Sequence, residues 1–301
     1  MCKKPIMITH TDLDGVGCAV IFKYAFGADA DVRFVGNHVL VDREINAAIA
    51  EDPGMLIISD LSPSSGSIAN INNNAFKNGI RVIDHHATAL HLNHYDWANI
   101  DVNRCGTMGV YDELLPHLEG EIGIPHVYPF CSLVDDYDRW IHSTPDSKRL
   151  NTLFFIMGRD AFIDRCLGTA RPHKFNETDE LLISIATKEE KSHVDRAIQS
   201  ALNNGMVDMF GHKALFVFSD KYQSAIGEQC RVNKIDADFV AIFNAGSGTV
   251  SLRSIGDDID VAEIAKLMGG GGHPKSAGYN VGNEFIIDIV SKMKGGDSNG
   301  I

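Results

Sequence analysis

The sequence has no paired cysteines. Its six, Cys2, Cys18, Cys105, Cys131, Cys166 and Cys230, stand far apart with no Cys-x-x-Cys among them, which argues against a thiolate zinc site and against a disulfide framework. Cysteines scattered in this way belong to a reducing compartment. Long apolar runs are missing as well. The run Ile6 to Ile8 follows Lys3 and Lys4 and is broken at once by Thr9, His10 and Asp12. It is too short for the core of a signal peptide, and nothing later is long enough to span a membrane. A cytoplasmic location without a membrane partner is the expectation. Cations are also scarce: 27 Lys and Arg face 40 Asp and Glu, a formal net charge of -13. Long nucleic acid is held by cationic contacts to many phosphates, so a protein that coats or tracks a long duplex is disfavoured. A nucleotide gripped by a local basic pocket or by metal ions is not.

What is present is ample material for a core. The 301 residues are 44% hydrophobic and 22% charged, a globular balance with room for one large domain or two ordinary ones. The first half alternates short apolar runs with helix-like stretches: strands are expected at 5–9, 31–35, 55–59 and 80–83, and helices at 15–26, 42–50 and 64–77. Such alternation predicts a mostly parallel, doubly wound α/β sheet. Helical patterns follow at 108–118, 130–140 and 147–157, then a long polar one that stops at Asn203-Asn204-Gly205. Beyond it the pattern turns to strands at 214–218, 239–244 and 249–254 and a short helix at 260–268 with Asp260 as its N-cap. The expected organisation is a catalytic domain over 1–176, a helical connector over 177–205, a smaller α/β domain over 206–294, and a frayed polar tail over 295–301. A cleft is expected between the two domains.

The polar residues gather where the apolar strands end. The first expected strand runs into His10-Thr11-Asp12-Leu13-Asp14-Gly15, the third into Asp60, and the fourth into Asp84-His85-His86. In a parallel sheet these C-terminal ends share one edge, and ligands bind there. A lone Asp after a strand is usually a turn or cap residue. Three strand ends that all finish in metal-type residues are hard to explain as caps. Four carboxylates crowded together repel one another strongly, and divalent cations neutralise them. A mixed shell of oxygen and imidazole with no thiolate suits Mn²⁺, with Mg²⁺ or Fe²⁺ as alternatives.

The set Asp84-His85-His86 with His10-x-Asp12-x-Asp14 upstream resembles the DHH phosphoesterase family. The later Asp136, four residues before Trp140, resembles that family's fourth motif, with the adjacent Asp135 as runner-up. The resemblance implies that His10, Asp12 and Asp60 hold one metal ion and that Asp14, Asp60, His85 and Asp136 hold a second, Asp60 bridging the two. It further implies that Asp84 orients the histidine pair and that His86 faces the substrate phosphate. In the second half, Ser251-Leu252-Arg253-Ser254, Gly269-Gly270-Gly271-Gly272-His273 and Ala277-Gly278 resemble the DHHA1-type substrate domain that often follows a DHH domain. A glycine run lets backbone N–H groups approach a phosphate, and Arg253 and His273 can grip it. Gly270, Gly271, Gly272, His273 and Arg253 are thus the expected substrate residues.

The nearest branch is that of the nanoRNA-degrading oligoribonucleases. The function expected is two-metal hydrolysis of short RNA or small nucleotides to mononucleotides. Rivals are a cyclic or linear dinucleotide phosphodiesterase, a 3'-phosphoadenosine 5'-phosphate phosphatase, a single-strand exonuclease and, from another class, a non-catalytic nucleotide-binding module. The last predicts missing ligands, whereas every expected ligand is present. Oligomeric state is left open between a monomer and a homodimer.

Overall fold

A computed structural model describes residues 3–74, 79–118, 124–256 and 258–282. The chain divides into two compact units, with the division between Ala186 and Thr187. The expected tail at 295–301, the stretch 283–294 of the second domain and the end of the helix expected at 64–77 lie outside the described residues.

The first unit is built on five parallel strands, β1 (Pro5–Thr9), β2 (Asp31–Phe34), β3 (Met55–Ser59), β4 (Ile80–Asp84) and β5 (Ala98–Ile100), in the order β2-β1-β3-β4-β5. Parallel strands covered on both faces carry apolar residues in both directions, and these do. Ile6, Ile8, Leu56, Ile58, Ile80 and Val82 enter one core, which α2 (His38–Ala50) and α3 (Ser65–Asn73) close. Met7, Ile57 and Ile83 enter the other. That second core is filled by α1 (Leu13–Phe26), α4 (Gly106–Leu114), α5 (Ile124–Asp138), α6 (Pro145–Met157) and α7 (Arg159–Leu167). Helix α1 is buried on nearly all sides from Leu13 to Phe22, so it behaves as a core element rather than an amphipathic cover.

Helix α8 (Glu177–Asn204) crosses the division between the units. Ile183 packs in the first unit's core, and Val194, Ile198 and Ala201 pack in the second's. The second unit has a six-stranded sheet of β6 (Val207–Met209), β7 (His212–Phe218), β8 (Phe239–Asn244), β9 (Thr249–Ser254), β10 (Gly271–His273) and β11 (Ser276–Asn280), ordered β10-β11-β9-β8-β7-β6. Only β7 and β8 run parallel, joined through α9 (Gln223–Val232), and the other pairs are antiparallel. Helix α10 (Val261–Leu267) closes one face with Leu252, Phe239 and Ala241, while α9 and the end of α8 close the other. Among the described residues no helix is long and apolar enough to cross a membrane.

The sequence pattern missed the helices α7 and α9 as well as several short strands. β5 has three residues, too few for an alternation to register. β10 is built from the glycine run that reads as a loop, and its ladder to Gly278, Ala277 and Ser276 makes it a strand.

Candidate metal centre and substrate face

The order β2-β1-β3-β4-β5 places the topological switch point between β1 and β3, where ligands of doubly wound sheets bind. The register is in step: Thr9 pairs with Ser59, and Ser59 with Ile83. His10, Asp60 and Asp84 are the next residues of their strands and so emerge side by side at the C-terminal edge. The floor beneath is tied together by hydroxyls, Ser59 Oγ donating to Thr9 Oγ1 at 3.0 Å and Thr9 Oγ1 to the Gly15 carbonyl at 3.0 Å. Asp60 turns out of β3 with a left-handed φ of 52° while its N–H still donates to the Ile83 carbonyl at 2.9 Å. Aspartate enters this region more readily than most side chains.

Each oxygen of Asp60 faces a different neighbour. Oδ1 lies 3.5 Å from His85 Nε2, and Oδ2 lies 3.8 Å from His10 Nδ1. On the His10 side, Asp12 Oδ2 is 2.9 Å from the same Nδ1, while its Oδ1 caps α1 by accepting the Gly15 N–H at 3.0 Å. On the His85 side, Asp14 Oδ2 at 3.7 Å and Asp138 Oδ2 at 3.4 Å complete a ring of three carboxylates around one imidazole nitrogen. Ligand-type atoms of His10, Asp12 and Asp60 fall within 4.8 Å of one another, and so do those of Asp14, His85 and Asp138.

Helix α4 holds Asp14 in place. The Gly106 N–H donates to Oδ2 at 2.7 Å and the Thr107 N–H to Oδ1 at 2.8 Å, so the helix N-terminus stabilises the buried anion. A Cβ on Gly106 would lie 2.9 Å from Asp14 Oδ2 and 3.0 Å from Asp60 Cβ, so this close approach requires glycine. Asp84 serves the histidines. Its Oδ1 accepts the His85 N–H at 2.7 Å and contacts His86 Nδ1 at 2.7 Å, and its Oδ2 accepts from Ser62 Oγ at 2.5 Å. The Asp84 carboxyl is buried, which alone would raise it; hydrogen bonds from His86 and Ser62 outweigh this and hold it below the usual range. Its hydrogen bond in turn raises His86, which is half exposed.

The structure does not bring the fourth-motif residue Asp136 to the cluster. Asp136 is buried but points elsewhere: its carboxylate accepts the Ser143 N–H at 2.9 Å and Ser143 Oγ at 2.5 Å. The runner-up Asp135 accepts the N–H of Cys105, the residue just before α4, at 2.7 Å. Of the three carboxylates it is Asp138, missed from sequence, that faces His85. A signal for it existed. Val127, Cys131 and Val134 form the buried stripe of α5, and the same 4-3-4 spacing ends on Asp138.

The donor set fits divalent cations. Burial, then the charges of Asp14, Asp12, Asp138 and Asp84, drives the Asp60 carboxyl well above its ordinary range. Burial also raises Asp14, and it brings Asp138 to about 7 with help from Asp14 and Asp12. Asp60 Oδ2 and Asp138 Oδ2 are buried without a hydrogen-bond partner, an arrangement that costs free energy unless a cation balances it. Cys18 and Cys105 are buried nearby, and burial pushes both thiols well above their ordinary range. The candidate ligand groups among the described residues contain no cysteine, and their donors are carboxylate and imidazole, the set that suits Mn²⁺ or Mg²⁺.

In the second unit, His273 pairs with Ser276 and Ser276 with Arg253. Residues directly opposite share a face, so the three form one row across β10, β11 and β9. Gly271, Gly278 and Ser251 form the row beside it, a floor without large side chains. The stem of Arg253 crosses α9 at Gly227, where a Cβ would lie 2.6 Å from Arg253 Cγ. Its guanidinium contacts Ser224 Oγ at 3.3 Å, and burial lowers its pKa. The glycine run departs from expectation at Gly270, whose N–H donates to the Ala265 carbonyl at 2.8 Å and closes α10. Gly271 and Gly272 lie in β10.

No protein-family model matches the chain. It is 32% identical over 304 residues to the oligoribonuclease NrnB of Bacillus subtilis (strain 168), covering 95% of this chain and 75% of that one. It is 23% identical to a 3',5'-cyclic-nucleotide phosphodiesterase of Helicobacter pylori, over 91% of this chain and 92% of that one. Its fold matches that of the pGpG-specific phosphodiesterase PggH from Vibrio cholerae with a TM-score of 0.54 at 15% identity, over 97% and 98% of the two chains. With Asp84-His85-His86 at the end of β4 and this degree of identity to a curated relative, the chain belongs to the DHH phosphoesterase family and is a hydrolase acting on phosphate ester bonds.

Proposed function

We propose that this protein degrades short oligoribonucleotides to mononucleotides with two divalent cations, Mn²⁺ ahead of Mg²⁺ or Fe²⁺. The observation that carries the reading is Asp60, whose two oxygens face two separate donor groups. His10, Asp12 and Asp60 would hold one ion, and Asp14, Asp60, His85 and Asp138 the other. When bound, such ions activate water and stabilise negative charge on a phosphoryl group. The remaining work falls to the chain. Asp84 fixes His86 through Nδ1, and a protonated His86 donates to a phosphate oxygen. The hydrogen bond to Asp84 raises the pKa of His86 and so favours that proton.

Arg253, Ser276 and His273 supply a guanidinium, a hydroxyl and an imidazole over two strand spacings, roughly 10 Å. That span suits the terminal phosphate and sugar of a nucleotide. A reader of termini favours short substrates, in keeping with the negative charge of the chain. Arg253→Ala is expected to raise KM for a 5'-phosphorylated RNA dinucleotide by about 10- to 100-fold, the cost of one charge-assisted contact. Steady-state kinetics should show a much smaller effect on the dinucleotide without that phosphate. Equal losses on both substrates would remove Arg253 from end recognition.

A further inference from the structure

The turn that follows α5 carries an aromatic cluster with no role in the metal centre. Trp140 is 62% exposed, whereas the only other tryptophan, Trp97, is 4% exposed and stacks on Tyr95. Trp140 and His142 both adopt left-handed backbone, with φ of 57° and 51°, an outlier conformation for bulky side chains. Asp136 holds this turn. Its carbonyl accepts the N–H groups of Ile141 and His142 at 3.0 and 3.1 Å, and its carboxylate takes Ser143. The rings are locked against one another: His142 stacks on Tyr137 at 5.5 Å and 16°, and Trp140 sits 4.4 Å from His142. Trp140 follows Asp138 by two residues, so their Cα atoms lie within about 7 Å, and Asp138 is 3.4 Å from His85.

A large flat ring is thus held rigid and exposed beside a phosphoesterase centre, at the expense of unfavourable backbone. We propose that Trp140, backed by His142, is the platform on which the nucleobase next to the scissile phosphate stacks. This rests on the nuclease reading above. A phosphodiester brings a base within a few ångströms of its phosphorus, and bases stack on aromatic rings with little regard for their identity. Stacking reads the face of a base and not its edge, so the platform accepts all four bases and holds the larger purines more tightly than pyrimidines.

The test uses the intrinsic fluorescence of the full-length protein in Mg²⁺. Adenosine 5'-monophosphate should quench the emission of Trp140, ribose 5-phosphate should not, and Trp140→Leu should remove the adenosine-dependent change. In parallel, Trp140→Leu should raise KM for an RNA dinucleotide by about 5- to 100-fold, with the larger part of the loss in KM rather than kcat. Trp140→Phe, which keeps a ring, should hold KM within about threefold of the parent. Equal quenching by ribose 5-phosphate, or an unchanged KM in Trp140→Leu, would overturn the platform. Hydrolysis of the dinucleotide without quenching would overturn the platform and leave the nuclease reading standing. Quenching without hydrolysis would support the platform and overturn the nuclease reading.

Discussion

Asp60→Asn is expected to lower kcat/KM by more than about a hundredfold, beyond what the loss of an outer-shell partner costs a metal site, and at the same time to stabilise the metal-free protein. Both effects have one cause. The Asp60 carboxyl is 3% exposed, its Oδ2 has no hydrogen-bond partner, and Asp14, Asp12, Asp138 and Asp84 press on it with like charge. An amide removes that repulsion and also removes the anion that would join two ions. The melting temperature without metal should rise by about 2–8 °C, as expected for relief of about 1–2 kcal/mol in a unit of this size. Asp138→Asn should likewise lose Mn²⁺ affinity in calorimetric titration. Asp136→Asn should keep that affinity and show its cost in thermal stability, because its carboxylate organises residues 143 and 144. If Asp136→Asn lost the metal and Asp138→Asn did not, the assignment of the α5 ligand would be reversed.

The same crowding makes stability depend on pH in an unusual direction. Asp14, Asp60 and Asp138 have carboxyl pKa values raised above the ordinary 3.8, Asp138 to about 7. The metal-free folded protein therefore keeps protons that the unfolded chain has released. Stability from these groups is complete below about pH 3.8 and is lost as pH rises above it, for Asp138 through about 7. His10 and His86, raised by Asp12 and Asp84, act in the same direction above their ordinary 6.5. Carboxylates with lowered values, such as Asp12 and Asp84, lose their contribution only below the ordinary range. Between pH 5 and 8 the metal-free melting temperature should accordingly fall, with a loss on the order of a few kcal/mol. Mn²⁺ should restore it increasingly as pH rises, because protons compete less for the ligands, and each site filled at a hundred times its Kd adds about 2.7 kcal/mol. Scanning calorimetry across this range with and without Mn²⁺ measures both trends. A metal-free protein that gains stability from pH 5 to 8, with no increment from Mn²⁺, would contradict the reading of the centre.

Most of this centre was legible in the sequence because it sits at strand ends. Apolar runs mark β1, β3 and β4, and a parallel sheet aligns whatever follows them, so His10, Asp60 and Asp84-His85-His86 could be placed together without coordinates. The helix-borne carboxylate beside His85 was harder. Asp135, Asp136 and Asp138 crowd within four positions, and a spacing rule based on Trp140 selects Asp136, whose burial serves the following turn. Helical phase picks out the carboxylate that lies beside His85, since Val127, Cys131 and Val134 point the same way as Asp138. The support that Gly106 and Thr107 give to Asp14 left no trace in sequence, because backbone N–H donors have no residue signature. In the second unit, the row His273–Ser276–Arg253 depended on β10 being a strand, which glycines conceal.

The central claim is hydrolysis of short RNA, and a product time course with Mn²⁺ tests it most directly, using one 5'-labelled RNA dinucleotide and one labelled RNA of about twenty nucleotides, lengths that differ in the number of phosphate contacts they demand. The account predicts rapid conversion of the dinucleotide to mononucleotides with the long strand barely shortened. Processive shortening of the long RNA, or inertness toward the dinucleotide, would contradict it.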